Sequence, residues 1–140
     1  MVKPFSRKCI VIVDDDQFFL SLLKQLLTEN LECPVVAFTH PRDALAALPS
    51  LAVGAIVTDY EMPELNGFEF MAEAALVVPG VPFILITGLP VSQAMESKVN
   101  TSPLKAILHK PFNWRKLGDE IIRNWPEQGV CLLKATPTSV

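Results

Sequence analysis

Six residues in this chain could act together in chemistry: the triplet Asp14, Asp15 and Asp16, and then Asp59, Thr87 and Lys110. Carboxylates gathered in one crevice repel each other, and a divalent cation relieves that repulsion. Carboxylate and water ligands suit Mg²⁺. An ammonium and a hydroxyl in the same crevice suit phosphate oxygens. Taken singly, each residue has a plainer role. Asp16 would cap a helix, Asp59 would serve a turn, Thr87 would end a strand, and Lys110 would be a solvated surface lysine.

The elements around these residues decide between the two readings. Short apolar runs cover Cys9–Val13, Val35–Phe38, Ala55–Thr58, Phe83–Thr87 and Ala106–His109. Most lack the in–out alternation of a half-exposed strand, as expected for parallel strands covered on both faces. Between them lie stripes of helical period. Phe19, Leu22, Leu23, Leu26 and Leu27 give the first, with Asp15 or Asp16 as cap. Ala44, Leu45 and Leu48 give the second, opened by Pro41. Phe68, Met71, Ala72, Ala75 and Leu76 give the third, ended by Pro79-Gly80. Val91, Ala94, Met95 and Val99 give the fourth, and Trp114, Leu117, Ile121, Ile122 and Trp125 the fifth, with Asn113 as cap.

Five strand–helix alternations predict an α/β fold, doubly wound, with a five-stranded parallel sheet in the order 2-1-3-4-5 and five helices. Active crevices in such sheets lie beyond the carboxyl ends of the strands. The aspartate triplet follows the first run, Asp59 the third, Thr87 the fourth and Lys110 the fifth. All six residues therefore fall on one rim.

The bulk properties narrow the classes. The 140 residues are 50% hydrophobic and 19% charged, enough for one domain with a core. A net charge of −3 gives no electrostatic reason to expect direct nucleic acid binding or an anionic membrane partner. The most apolar stretch, Ala74 to Ile86, is shorter than the ~20 residues that span a bilayer, and Pro79, Gly80 and Pro82 interrupt it. Cys9, Cys33 and Cys131 lack metal-ligand spacing. The expectation is no disulfide framework and a reducing cytoplasm. The segment 126–140 reads as a short, loosely packed tail or the start of a linker, too short for a DNA-binding domain.

The motifs Val13-Asp14-Asp15-Asp16, Thr58-Asp59-Tyr60-Glu61-Met62-Pro63 with Gly67, Ile86-Thr87-Gly88 and Lys110-Pro111-Phe112 occur in this order. From about Cys9 to Trp125 the chain resembles the receiver domain of two-component response regulators, whose fold is flavodoxin-like, and residues 1–125 are expected to form that domain. The resemblance implies a phosphoacceptor, not an enzyme in the usual sense. Asp59 would take a phosphoryl group from a histidine kinase or phosphotransfer protein, and Thr87 and Lys110 would engage the phosphoryl oxygens. Mg²⁺ would be held by Asp14, Asp15, Asp59 and the backbone carbonyl of Glu61, with Asp14 acting largely through water. The Lys110-Pro111 bond would be cis, and the signal would pass to a downstream effector by protein–protein contact. Homodimers in the family use the face of the fourth helix, fifth strand and fifth helix.

The resemblance has one departure. Ile107 stands where receivers often carry an aromatic residue three positions before the lysine, so an aromatic rotamer switch is not expected. Ile107 would leave an apolar patch on the face just described. Three rival readings share the fold or the residues. A haloacid-dehalogenase-type phosphohydrolase would use Asp14 as nucleophile, but Phe18 stands where it needs Thr or Val. A flavin carrier would meet three repelling carboxylates at its phosphate site. A non-phosphorylated interaction module would have lost chemistry for which every side chain is still present.

Overall fold

The computed structural model describes residues 7–101, 103–126, 131 and 133–134. Among them, strands and α-helices alternate as the sequence predicts: β1 (Cys9–Val13), α1 (Gln17–Asn30), β2 (Val35–Phe38), α2 (Pro41–Ala47), β3 (Val53–Asp59), α3 (Gly67–Val77), β4 (Phe83–Thr87), α4 (Gln93–Glu96), β5 (Leu104–His109) and α5 (Trp114–Asn124). A short 3₁₀ turn over Leu48–Ser50 extends α2. The five strands form one parallel sheet in the order β2-β1-β3-β4-β5.

Every residue of β1, β3 and β4 is buried, which explains their unbroken hydrophobicity. Alternate side chains feed two separate cores. Ile10, Ile12, Val57, Ile84 and Ile86 face Leu20, Leu23 and Leu27 of α1 and Leu117 and Ile121 of α5. Val11, Val13, Ile56, Phe83 and Leu85 face Ala44 of α2 and Phe70 and Ala74 of α3. A residue shift in β1 or β3 would swap these two sets, so the register is fixed by both cores at once. Gly54 is required on the first face, because a Cβ there would run into the Trp125 ring.

Local signals start most helices where expected. The Asp16 carboxylate accepts from the backbone N–H groups of Phe18 and Phe19. Asn66 and Glu69 form a reciprocal capping box on α3. Asn113 caps α5 by accepting from Arg115 N–H.

Four expectations are corrected. The third helix turns a different face inward: Phe70 and Ala74 are buried while Leu76 is 86% exposed, because α3 begins at Gly67 and packs from there. On α1, Leu20 is buried and Leu22 is 51% exposed. The fourth helix shrinks to Gln93–Glu96, followed by turns to Asn100, which has a left-handed φ of 64°. Its Ser, Gln, Glu and Lys side chains give too few apolar anchors to hold longer helix against the sheet.

The last correction concerns the cysteines. Cys33 and Cys131 are disulfide-bonded with Cα atoms 5.4 Å apart, and both are buried. Lys134 N–H donates to Asn30 O at 2.7 Å, and Leu31 bridges Leu133 antiparallel. The described part of the expected loose tail is therefore seated against the end of α1. Residues 127–130, 132 and 135–140 of that segment lie outside the described residues. Cys9 remains a free, buried thiol whose pKa burial pushes up.

Because the bond closes a loop with a sequence separation of 98 residues, Cys131→Ser should lower unfolding stability by about 2–4 kcal/mol. Urea titrations of wild type with and without a thiol reductant check this. Identical midpoints for oxidised wild type and variant would show that the bond constrains nothing.

Candidate functional site

Strands β1, β3, β4 and β5 each deliver a group to the same rim. Parallel pairing sets Val13 beside Thr58 and Asp59 beside Ile86. The residues that follow β1 therefore meet the end of β3. Asp14 and Asp59 are 1% and 6% exposed, and Thr87 is fully buried. Asp15 is exposed, and Lys110 is partly so. One carboxylate oxygen from each of Asp14, Asp15 and Asp59 lies within 4.8 Å of the other two. The triad expected from the sequence is thus brought together. Asp16, the fourth acid, turns to its capping role instead.

Asp14 is the most constrained member. Its Oδ1 accepts from Asp16 N–H at 2.9 Å, and its Oδ2 accepts from Lys110 Nζ at 3.1 Å. Lys110 Nζ also reaches Asp59 Oδ1 at 3.4 Å. Lys110 thus pairs with both acids, and Asp14 is the nearer partner. The Lys110-Pro111 bond is cis, as expected, and the Lys110 backbone N–H donates to Thr87 O at 2.7 Å. That bond also ties the ends of β4 and β5 together. The Thr87 hydroxyl oxygen accepts from Leu89 N–H at 3.0 Å, which leaves its hydrogen for an outside acceptor.

The loop after β3 is shaped by Gly67. Its N–H donates to Tyr60 O at 2.7 Å, and an added Cβ would sit 2.8 Å from the Asp59 carbonyl oxygen. Only glycine lets α3 start this close to the rim. Beside it, Asp15, Tyr60, Glu61, Met62, Pro63 and Asn66 line an open cleft of about 410 Å³. Glu61 therefore borders the acidic cluster, on the side of Asp15.

The electrostatics follow from burial. Desolvation, then the neighbouring Asp14 charge, push the Asp59 pKa up to about 6 against the opposing pull of Lys110 and a backbone N–H. Desolvation likewise raises Asp14, although Asp16 N–H and Lys110 oppose it. Burial alone would lower Lys110, but Asp14 and Asp59 together outweigh it and raise it. One ammonium thus fails to neutralise the acids, and the uncompensated charge is the property of a cation site. The donor set is all oxygen, open on the Asp15 side, and fits a hard divalent ion.

Ile107 pairs with Leu85 across the β4–β5 ladder and is only partly buried against the α2–α3 face core. Among the described residues it is not one of the strongly exposed apolar side chains, so the expected patch at this position is modest. Phe19 belongs to the apolar stripe of the first helix in the sequence, yet its ring lies by the lysine. The one sequence signal for that placement is the recurrence of aromatic residues near the rim, Phe19 and Phe112.

Comparison with known proteins agrees with this geometry. The family profile described as response regulator receiver domain matches residues 10–122. The chain is 28% identical over 105 residues to the chemotaxis protein CheY of Thermotoga maritima, covering 75% of this chain and 87% of CheY. It is 33% identical over 78 residues to the transcriptional regulatory protein GlrR of Escherichia coli, covering 56% of this chain and 17% of that regulator. A CheY-like receiver domain structure from Methanospirillum hungatei superposes with a TM-score of 0.76 at 29% identity, covering 88% of this chain and 97% of that one.

The raised carboxylate has a measurable sign. Between the ordinary 3.8 and about 6 the folded protein holds a proton on Asp59 that the unfolded chain has released. That stability is fully present below about pH 4 and is lost as pH rises through 6. In metal-free buffer at pH 7.5, Asp59→Asn should therefore be more stable than wild type by roughly 2–3 kcal/mol. The gap should close toward pH 4. Chemical unfolding across that range tests it, and a pH-independent gap would contradict the assigned cause.

Proposed function

The chain belongs to the response regulator receiver family of two-component signalling, and on that premise we propose that Asp59 is its phosphoacceptor. The observation that carries the reading is the meeting of Asp14, Asp15, Asp59 and Lys110 on one rim, with Asp59 buried beside the ammonium. A phosphohistidine of a histidine kinase or phosphotransfer protein is the donor. An Asp59 carboxylate oxygen attacks phosphorus, the P–N bond breaks as the P–O bond forms, and the departing imidazole nitrogen takes a proton from solvent. The product is an acyl phosphate on Asp59.

Asp14, Asp15, Asp59 and the Glu61 carbonyl would hold Mg²⁺, which when bound supplies neutralisation of the phosphoryl charge. The need for it is quantitative. A phosphoryl group brings roughly −1.5 to −2 charges, and like charges about 4 Å apart repel by ~4 kcal/mol at an effective dielectric near 20. Lys110, beside both Asp14 and Asp59, supplies opposite charge. The Thr87 hydroxyl, with its hydrogen free, donates to a phosphoryl oxygen. Such catalysis is positioning and charge neutralisation, with little covalent work for the protein.

The phosphohydrolase alternative would need Asp14 free to attack and Asp16 free to transfer a proton. Here Asp14 is locked between Asp16 N–H and Lys110, and Asp16 caps α1. On partners, Phe18 and Leu22 are exposed near the start of α1, next to the rim, and form an apolar surface suited to the phosphodonor protein. The face of α4, β5 and α5 would serve an effector or a second copy. We take residues 1–125 as the receiver and 126–140 as tail or linker. The setting is the cytoplasm, where cellular thiols would act on the Cys33–Cys131 bond. Among the described residues no helix is long and apolar enough to cross a membrane. The chain spans 87% of CheY but only 22% and 17% of two larger relatives, so what those larger proteins do as wholes is not carried over to it.

Acetyl phosphate with Mg²⁺ should add one phosphoryl group, read as a mass increase, and Asp59→Asn should abolish it. Wild-type labelling of the Asn variant would sink the assignment. Asp15→Ala should weaken Mg²⁺ binding at least tenfold, by calorimetry, while Asp16→Ala changes it within about twofold. Equal losses would mean that the metal lies elsewhere.

A further inference from the structure

Lys110 has a partner outside the acidic cluster. Its Nζ stands 4.2 Å from the centroid of the Phe19 ring. Phe112 meets that ring nearly edge-on, with centroids 6.2 Å apart and planes at 82°. Phe112 lies two residues after Lys110, just beyond the cis Lys110-Pro111 bond. The ammonium is therefore held by carboxylates at 3.1 and 3.4 Å and by an aromatic face as well.

We propose that Phe19 is a positioning residue for phosphoryl transfer, its ring face seating the Lys110 ammonium at the rim so that the lysine stays aimed there when its carboxylate partners are otherwise engaged. The functional half of this inference rests on Asp59 being the phosphoacceptor. Lysine is a compact charge on a flexible four-carbon stem, and it holds one geometry only where several contacts fix it. Both of its anionic contacts change during the proposed reaction. Asp59 becomes an acyl phosphate, and Asp14 is drawn toward a cation. The attraction of an ammonium to a ring face depends on the ring quadrupole, which neither event alters. Phe112 fixes the ring in turn, through the edge-to-face contact that aromatic pairs prefer.

The simpler role for Phe19 is apolar packing, since it borders the core shared by α1 and α5. The two roles separate by substitution. Leucine fills apolar space without a π face, whereas tyrosine keeps the face.

Wild type, Phe19→Leu and Phe19→Tyr should be compared as full chains. In metal-free protein, the Lys110 ε-methylene protons should show an upfield ring-current NMR shift in wild type and Phe19→Tyr that is lost in Phe19→Leu. With acetyl phosphate, the rate of Asp59 labelling at saturating Mg²⁺ should fall about 3- to 10-fold in Phe19→Leu. It should stay within about twofold of wild type in Phe19→Tyr, and the half-saturating Mg²⁺ concentration should not move. Phe19→Met replaces the leucine variant should that one fail to fold. An unchanged Lys110 shift in Phe19→Leu overturns the seat. A lost shift with an unchanged rate, or a tyrosine variant as slow as leucine, overturns the positioning role. A wild-type protein that takes no label overturns the phosphoacceptor reading instead, and the NMR comparison still decides the seat.

Discussion

Three carboxylates and one ammonium share one rim, two of the carboxylates buried there, and the rest of the structure can be understood as what holds them in place. Asp14 and Asp59 are almost fully buried, and burial raises both of their pKa values even with Lys110 in place. Left to themselves, such groups would turn outward to solvent. They do not because their backbones are fixed at the ends of two adjacent inner strands. Asp59 is the last residue of β3, and Asp14 follows directly on β1, its N–H donating to Phe38 O of β2 at 3.2 Å. An unfavourable local arrangement persists because the surrounding sheet over-determines it.

The sheet can do this because both of its faces are sealed. Alternate residues of β1 and β3 are claimed by opposite cores, so a strand cannot slide or rotate to relieve repulsion at its end without exposing a set of Ile and Val side chains. Burial of one such side chain is worth about 1.5–3 kcal/mol. The repulsion between one close pair of charges at an effective dielectric near 20 is of similar size. Several buried side chains per strand therefore outweigh it. Gly67 and the Asn66–Glu69 capping box complete the frame by fixing α3 against the Asp59–Tyr60 backbone.

How much of this is legible in the sequence depends on whether the signal is local or shared between distant segments. The strands are legible because complete burial leaves continuous apolar runs. The rim residues are legible because a parallel α/β sheet sends every strand end to one edge. Asn113 and Asp16 announce helix starts by residue type alone. The inward face of α3 is not, because Phe68, Met71 and Leu76 are as apolar as Phe70 and Ala74, and apolar side chains on every side of a helix hide its phase. The fourth helix comes out too long because its period is plausible while its anchors are weak. The Cys33–Cys131 pairing is not legible at all. Nothing in the local sequence of either cysteine specifies the other, and only the approach of the chain after α5 to the end of α1 does so.

The replacement of an aromatic residue by Ile107 also changes where a phosphorylation signal could travel. A ring that swings into space vacated by Thr87 would need a polar tip and a cavity, and an isoleucine paired with Leu85 has neither. A coupling from Thr87 would instead run through the backbone. Thr87 Oγ1 accepts from Leu89 N–H, and Thr87 O accepts from Lys110 N–H. Were Thr87 to engage a phosphoryl oxygen as proposed, its hydroxyl would pull on the first of these bonds, while the second would anchor the strand end. That pull would reach Gly88 and Leu89, and Leu89 is 40% exposed, four residues before α4 begins. That helix, shorter than its apolar period suggests, has no buried residue of its own and meets the core through the partly buried Met95. Few buried apolar contacts mean low local stability, so residues 91–99 are the segment that a pull from Thr87 would move most easily.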